Sequence, residues 1–151
     1  MKRILCLLLI GNLLAGANAF GAEKGIKIKN WKGVETLDVA TLQKTMADRV
    51  RKIVGVHFNA RGKDIHHMKP NWYECSIWQP KLDGKGFVDV RVMVAKKDLP
   101  AFKAITTDAN SPEVLTVYGE VLRDSDAKFL FVRLMGRNAT GDAKGDAMVT
   151  W

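Results

Sequence analysis

Cysteine is scarce in this chain, and its scarcity removes one source of stability. Only Cys6 and Cys75 are present, and Cys6 falls inside a segment built like a cleaved leader, so no intrachain disulfide is expected and packing has to hold the fold. Long hydrophobic runs are missing as well. The apolar stretch from Ile4 to Leu14 is too short to span a bilayer comfortably, which takes about 20 residues, and no later segment is a candidate. Repeats at solenoid period are absent, which excludes a stacked-repeat architecture. Acidic residues are in deficit, 16 against 24 Lys and Arg.

What is present begins with "MKRILCLLLIGNLLAGANA". Lys2 and Arg3 lead an apolar core that ends in Ala17-Asn18-Ala19, the build of a secretory signal with cleavage near Ala19. Cys6 lacks the small residues in front of it that a lipoprotein site shows, so no lipid anchor is expected. The mature chain is expected to be exported, periplasmic or secreted. Subtracting the 19 leader residues from 151 leaves 132, and removing two of the 24 basic residues against 16 acidic ones leaves a charge of +6. That length is one domain with a modest core. The charge favours polyanions or anionic surfaces as partners, and it is equally common in exported proteins that have neither.

Residues 20–48 open with alternating Lys and Ile, followed by Val39, Leu42, Met46 and Val50 at helical spacing. An amphipathic helix is expected from Leu37 to Asp48, with Asp38 or Thr36 as N-cap. Strands are then expected at "VRKIVGVHFNA", at "WYECSIWQ" and at "FVDVRVMVA", the last two joined by a turn at Asp83-Gly84. In the third, Val88, Val90, Val92 and Val94 point inward and Phe87, Asp89, Arg91 and Met93 outward. "KKDLPAFKAI" reads as a short helix with Pro100 in its first turn. After the loop "TTDANSP", "VLTVYGEVL" and "FLFVRLMG" read as a second hairpin. Residues 139–151, rich in Gly and Ala, read as a flexible C-terminal tail.

The order of three strands, a helix and two strands over residues 49–138, with the glycine in "LTVYGEVL", resembles the OB-fold superfamily. It is similar to the exported bacterial OB-fold (tRNA-anticodon-binding-like) proteins, in which a helix precedes the first strand. The resemblance implies a mainly β protein: a five-stranded OB-like barrel with a short helix between strands three and four and an N-terminal amphipathic helix. It also implies a binding face on strands two and three, of the kind that takes oligonucleotides or oligosaccharides.

On that face the expected register collects Trp72, Ser76, Trp78, Phe87, Arg91 and Met93, with Phe129, Phe131 and Arg133 added by the fifth strand. Tryptophan offers a flat π surface for a base or sugar ring, and arginine a bidentate fork for phosphate or carboxylate. Glu74 and Asp89 project from the same face and oppose phosphates. The ligand-binding residues expected are thus Trp72, Trp78, Phe87, Arg91, Ser76 and Arg133, for a polyanion or a carbohydrate. The competing expectation is a structural or protein-interaction component of the cell envelope, its aromatics covered by the N-terminal helix or by "GIKIKNWKG".

Neither a metal, a cofactor nor an enzyme is expected. Asp64, His66, His67, His57 and Cys75 hold the right atoms for zinc, but adjacent histidines on an extended segment point apart and Cys75 points inward. Solvated or backbone-bonded histidines fit better. Cys75 in an apolar alternation would have a raised pKa and little access. Glu74 and Asp89, even if opposed across two strands, lack the deep cleft and general-acid environment of a glycosidase pair.

Overall fold

The structure is a computed structural model that describes residues 25–59, 62–105, 114–126, 128–142 and 144–151. The expected leader, 1–19, and the loop 106–112 lie outside the described residues. The protein is mainly β.

Among the described residues, ten strands form two sheets. In chain order they are β1 (Ile26–Ile28), β2 (Glu35–Asp38), β3 (Ile53–Asn59), β4 (Lys63–Met68) and β5 (Trp72–Pro80), followed by β6 (Phe87–Ala95), β7 (Val114–Arg123), β8 (Leu130–Gly136), β9 (Asn138–Gly141) and β10 (Ala147–Thr150). The larger sheet runs β2-β3-β7-β8-β6-β5-β4 and the smaller β1-β10-β9. β2 with β3 and β6 with β8 are parallel; the other pairs are antiparallel.

The expectation of five strands is corrected to seven in this sheet, because Lys63–Met68 adds β4 and the residues before the first helix add β2. The sheet is not a closed barrel: its flanks are β2 and β4, which do not pair with each other. It is nevertheless curled. β3 and β4 stand five strand spacings apart in the sheet order, about 24 Å if flat, yet only three residues separate Asn59 from Lys63, a reach of at most about 14 Å. Gly62 makes the bend. Its N–H donates to Asn59 O and its carbonyl accepts from Trp78 N–H, both at 2.7 Å, and a Cβ there would lie 2.2 Å from Trp78 O.

The core lies inside this curl. Val54, Val56 and Phe58 of β3, Cys75 and Ile77 of β5, Val90, Val92 and Val94 of β6, and Val117, Val121 and Val132 from β7 and β8 are all buried. Period-two alternation in β-branched residues produces this directly, since every second side chain faces one side. Gly119 serves a close approach: β7 shifts register between Tyr118 and Gly119, and a Cβ at Gly119 would stand 2.6 Å from Arg133 O.

Helix α1 is shorter than the expected Leu37–Asp48. It spans Val39–Thr45 and continues as a 3-10 turn, Met46–Arg49. Asp38 caps it, its two carboxylate oxygens accepting from Thr41 N–H and Thr41 Oγ–H at 2.8 Å each. Leu37 is claimed by β2, which pairs with β3. α1 buries Val39 and Leu42 in the main core. Helix α2 (Leu99–Ala104) has Pro100 in its first turn and buries Leu99 and Phe102; Asp98, at its N-cap position, makes no side-chain capping bond.

The flexible tail expected over 139–151 is the main departure. That segment forms β9 and β10, which pair with each other, and β10 pairs with β1. Ala147 and Val149 are buried, and the Trp151 ring meets Phe102 edge-on at 6.1 Å. The cause is the alternation in "AMVT", four residues too few to outweigh the glycines around them in a composition reading. Among the described residues, no helix is long and apolar enough to cross a membrane.

Candidate functional site

β5 and β6 pair over their whole lengths, which puts Trp72 opposite Ala95, Glu74 opposite Met93, Ser76 opposite Arg91 and Trp78 opposite Asp89. Met93 in turn lies beside Arg133 of β8. The expected face therefore exists as one surface, but the structure divides it into three parts.

The first part is open. Trp72, Met93, Phe131 and Arg133, joined by Leu122 of β7, line a groove of about 240 Å³. An apolar cavity of about 150 Å³ holds a benzene, so the groove has room for one substituted six-membered ring. Leu122 was missed by sequence reasoning. Its signal lay in β7, where Val117, Gly119 and Val121 face inward and leave Leu122 as an apolar residue on the outer side.

The second part is engaged within the chain. Arg91 Nε donates to Glu74 at 3.1 Å, and its guanidinium lies 4.0 Å from the centre of the Phe129 ring. Ser76, which is buried, shares a 2.9 Å hydrogen bond with His66 Nε2 on the neighbouring strand β4. Arg133 is paired too, with Glu120 at 2.5 Å. Both expected arginines thus meet a carboxylate whose side chain is mostly buried, 14% exposed for Glu74 and 16% for Glu120. Half-exposed pairs of this kind add little stability, about 0–1 kcal/mol each, but they decide the electrostatics of the face. The positive charge that would attract a phosphate chain is already compensated.

The third part is a stack at the far end, where Trp78 and Phe87 meet edge-on with centres 4.7 Å apart. Phe87 is largely exposed, while Trp78 Nε1 is buried without a hydrogen-bond partner. Trp78 and Phe87 do not join Trp72 in the groove.

The register and packing also bear on covering and on the two carboxylates. Neither α1 nor "GIKIKNWKG" (25–33) covers Trp72: α1 enters the main core, and Trp31 packs with Ile28, Met135 and Val149, where it meets the Tyr118 ring at 4.9 Å. Glu74 and Asp89 are not opposed across β5 and β6, because Glu74 faces Met93 and Asp89 faces Trp78.

The histidine-rich stretch is dispersed. His57 Nδ1 bonds Thr116 Oγ1 at 2.7 Å, His66 bonds Ser76, and Cys75 is fully buried. Among the described residues, no three His, Cys, Asp or Glu side chains converge as a metal site would need. Burial pushes the Cys75 thiol up to about 11 and pulls the Lys63 ammonium down to about 8. Lys63 reaches the carbonyl of Phe102 and sits 4.2 Å over its ring.

A scan against protein-family models finds none that matches this chain, and a search of curated proteins finds no similar one.

Proposed function

We propose that the chain is an exported, non-enzymatic binding module whose curled sheet is an OB-like barrel, with β3 and β4 as the two arms of one bent first strand. The three-residue link between those arms and the order strand, strand, strand, helix, strand, strand support the architecture. The ligand is a ring-bearing molecule, an oligosaccharide in preference to an oligonucleotide, seated in the groove at Trp72.

One observation carries this choice: the groove is apolar and open, while Arg91 and Arg133 beside it are each bound to a glutamate. A phosphate chain laid on the face would meet Glu74 and Asp89 without free cations to balance them. A sugar ring presents a C–H face to Trp72 and hydroxyls to carboxylates already held in place. In this reading Trp72, Phe131 and Leu122 hold the ring, Arg133 with Glu120 bonds its hydroxyls, and Arg91, Ser76, Trp78 and Phe87 shape the surface beyond. The buried Cys75 thiol, pushed up to about 11, stays protonated at neutral pH, which argues against its use as a nucleophile.

The test is a titration of intrinsic tryptophan fluorescence with chitotetraose and cellotetraose, and separately with a short oligo(dT). Saturable binding of a tetrasaccharide is expected, unchanged between about 50 and 200 mM salt because no counterions are released. Trp72→Ala is expected to weaken it about tenfold or more, given about 1–3 kcal/mol per stacked ring, with an unaltered melting curve. Tight oligo(dT) binding that collapses with salt would sink the glycan reading. The second reading, a protein-interaction component of the cell envelope, draws on the engagement of Trp78, Arg91 and Ser76 by their own neighbours. It gains if no saccharide binds while an envelope protein protects Trp72 from quenching.

A further inference from the structure

A second hollow lies away from the aromatic groove, between the end of β1 and the start of β3. It holds about 320 Å³, and its polar rim is Lys29, Arg49, Lys52 and Glu35. Asn30 and Gly33 also line it, and apolar side chains, among them Val34 and Ile53, complete its wall.

The charges on this rim do not cancel. Arg49 donates twice to Glu35 Oε2, at 3.1 and 2.8 Å, and once to Thr45 O, so one cation and the single carboxylate of the lining are matched. Lys29 and Lys52 are both exposed, and among the described residues neither has an ion-pair partner. The acid whose charge Lys29 influences, Asp146, is already bound to Lys27 at 3.1 Å. Three cations against one carboxylate leave an excess of two at the mouth of a partly apolar hollow.

The backbone that presents these groups is strained. Arg51 stands in the left-handed region, with φ at 70°, a conformation costing a non-glycine residue about 1 kcal/mol. Two hydrogen bonds hold it there, Arg51 N–H to Val121 O and Lys52 N–H to Arg49 O, both 2.8 Å. The turn sends Arg51 toward Glu120, at 3.6 Å, and leaves Arg49 and Lys52 on the hollow. Strain of this sort persists where the surroundings enforce it, and it gathers at ligand-holding sites.

We infer that this hollow binds a small organic anion, a carboxylate or phosphate monoester with a short apolar body. The head group meets Lys29 and Lys52, and the body lies along Val34 and Ile53. The volume falls at the lower end of small-ligand sites, which run from about 300 Å³ upward, and two unmatched ammonium groups supply charge-assisted hydrogen bonds to oxygen. The site stands on observations independent of the groove at Trp72.

The experiment is an amide-resonance titration of the full chain with hexyl phosphate, with inorganic phosphate and with hexanol. Saturable shifts confined to residues 28–35 and 49–54 are expected with hexyl phosphate, with weaker binding of inorganic phosphate and none of hexanol. The double variant Lys29→Gln, Lys52→Gln is expected to bind hexyl phosphate about tenfold more weakly. Because both lysines are exposed, the variant is expected to keep the parent's spectrum elsewhere, which separates a lost site from a lost fold. Shifts spread over the other surface lysines, equal binding by the double variant, or no saturable shift would each overturn the inference.

Discussion

Burial displaces the pKa of both Lys63 and Cys75, in opposite directions. The Lys63 ammonium is lowered from 10.5 to about 8, so between those values the unfolded chain binds the proton that the folded chain has lost. Stability linked to Lys63 therefore rises with pH across that window, because the burial penalty on its charge is relieved. Cys75 works in the opposite sense. Its thiol is raised from 9.0 to about 11, the unfolded chain ionises first, and stability falls as pH climbs through that interval. In a Cys75→Ala background the thermal midpoint is thus expected to rise from pH 8 to 10 relative to a Cys75→Ala, Lys63→Met double variant, in which that rise is absent. Melting curves at fixed ionic strength measure it. Parallel pH profiles for the two proteins would mean that Lys63 is solvated in the folded state.

At the scale of single elements, the bend between β3 and β4 is what turns a sheet into an enclosure. Gly62 is the residue on which it depends, since any side chain there is driven into the Trp78 carbonyl. Gly62→Ala is expected to separate β4 from β5 at that end, with loss of the Trp78 N–H to Gly62 O bond. A cost of about 1–3 kcal/mol follows from one broken buried hydrogen bond. Amide exchange reads this locally: faster exchange at Trp78 with unchanged rates in β7 and β8 is the expected pattern, whereas uniform protection would remove the role given to Gly62. This bend also marks the limit of what the sequence discloses. Val88 to Val94 announced an inward face because a period of two in valines has only one structural meaning, and Asp83-Gly84 announced the turn before it. α2 was legible too, from Pro100 in the first turn of "KKDLPAFKAI". By contrast, nothing in "GKDIHHM" says that it pairs beside β5, because a mostly exposed edge strand shows no alternation to read. At the site, alternation placed Trp72, Met93, Phe131 and Arg133 on one surface. The neutralisation of Arg133 by Glu120, and of Arg91 by Glu74, depends on cross-strand partners separated by up to 17 positions, which local patterning does not encode.

For the whole molecule, the decisive contacts are those between its ends. β10 pairs with β1, Trp31 N–H donates to Gly145 O at 2.8 Å, and Arg137 N–H donates to Thr150 O at 2.8 Å. The small sheet formed this way buries Ile28 and Val149 against Met135, while Trp151 closes on Phe102 of the main core. The basic hollow depends on this stitching. The basic hollow has one wall in Ile28 and Lys29, and Glu120, which holds Arg133 beside the groove, also meets Arg51 from the turn below that hollow. If 139–151 were a loose tail, Val149 and Met148 would be equivalent positions. In the folded arrangement they are not: Val149 is fully buried and Met148 is 42% exposed. Val149→Ala is expected to cost about 2 kcal/mol, the transfer of two buried methylene equivalents with its cavity term. Met148→Ala is expected to stay within about 0.5 kcal/mol of the parent, as an exposed substitution does. Denaturant melts of the two variants side by side distinguish the cases, since equal midpoints would return the C-terminal segment to the status of a tail. A lowered midpoint for Val149→Ala alone makes the last five residues part of the same cooperative unit as β1, and with it part of the wall on which the anion site is built.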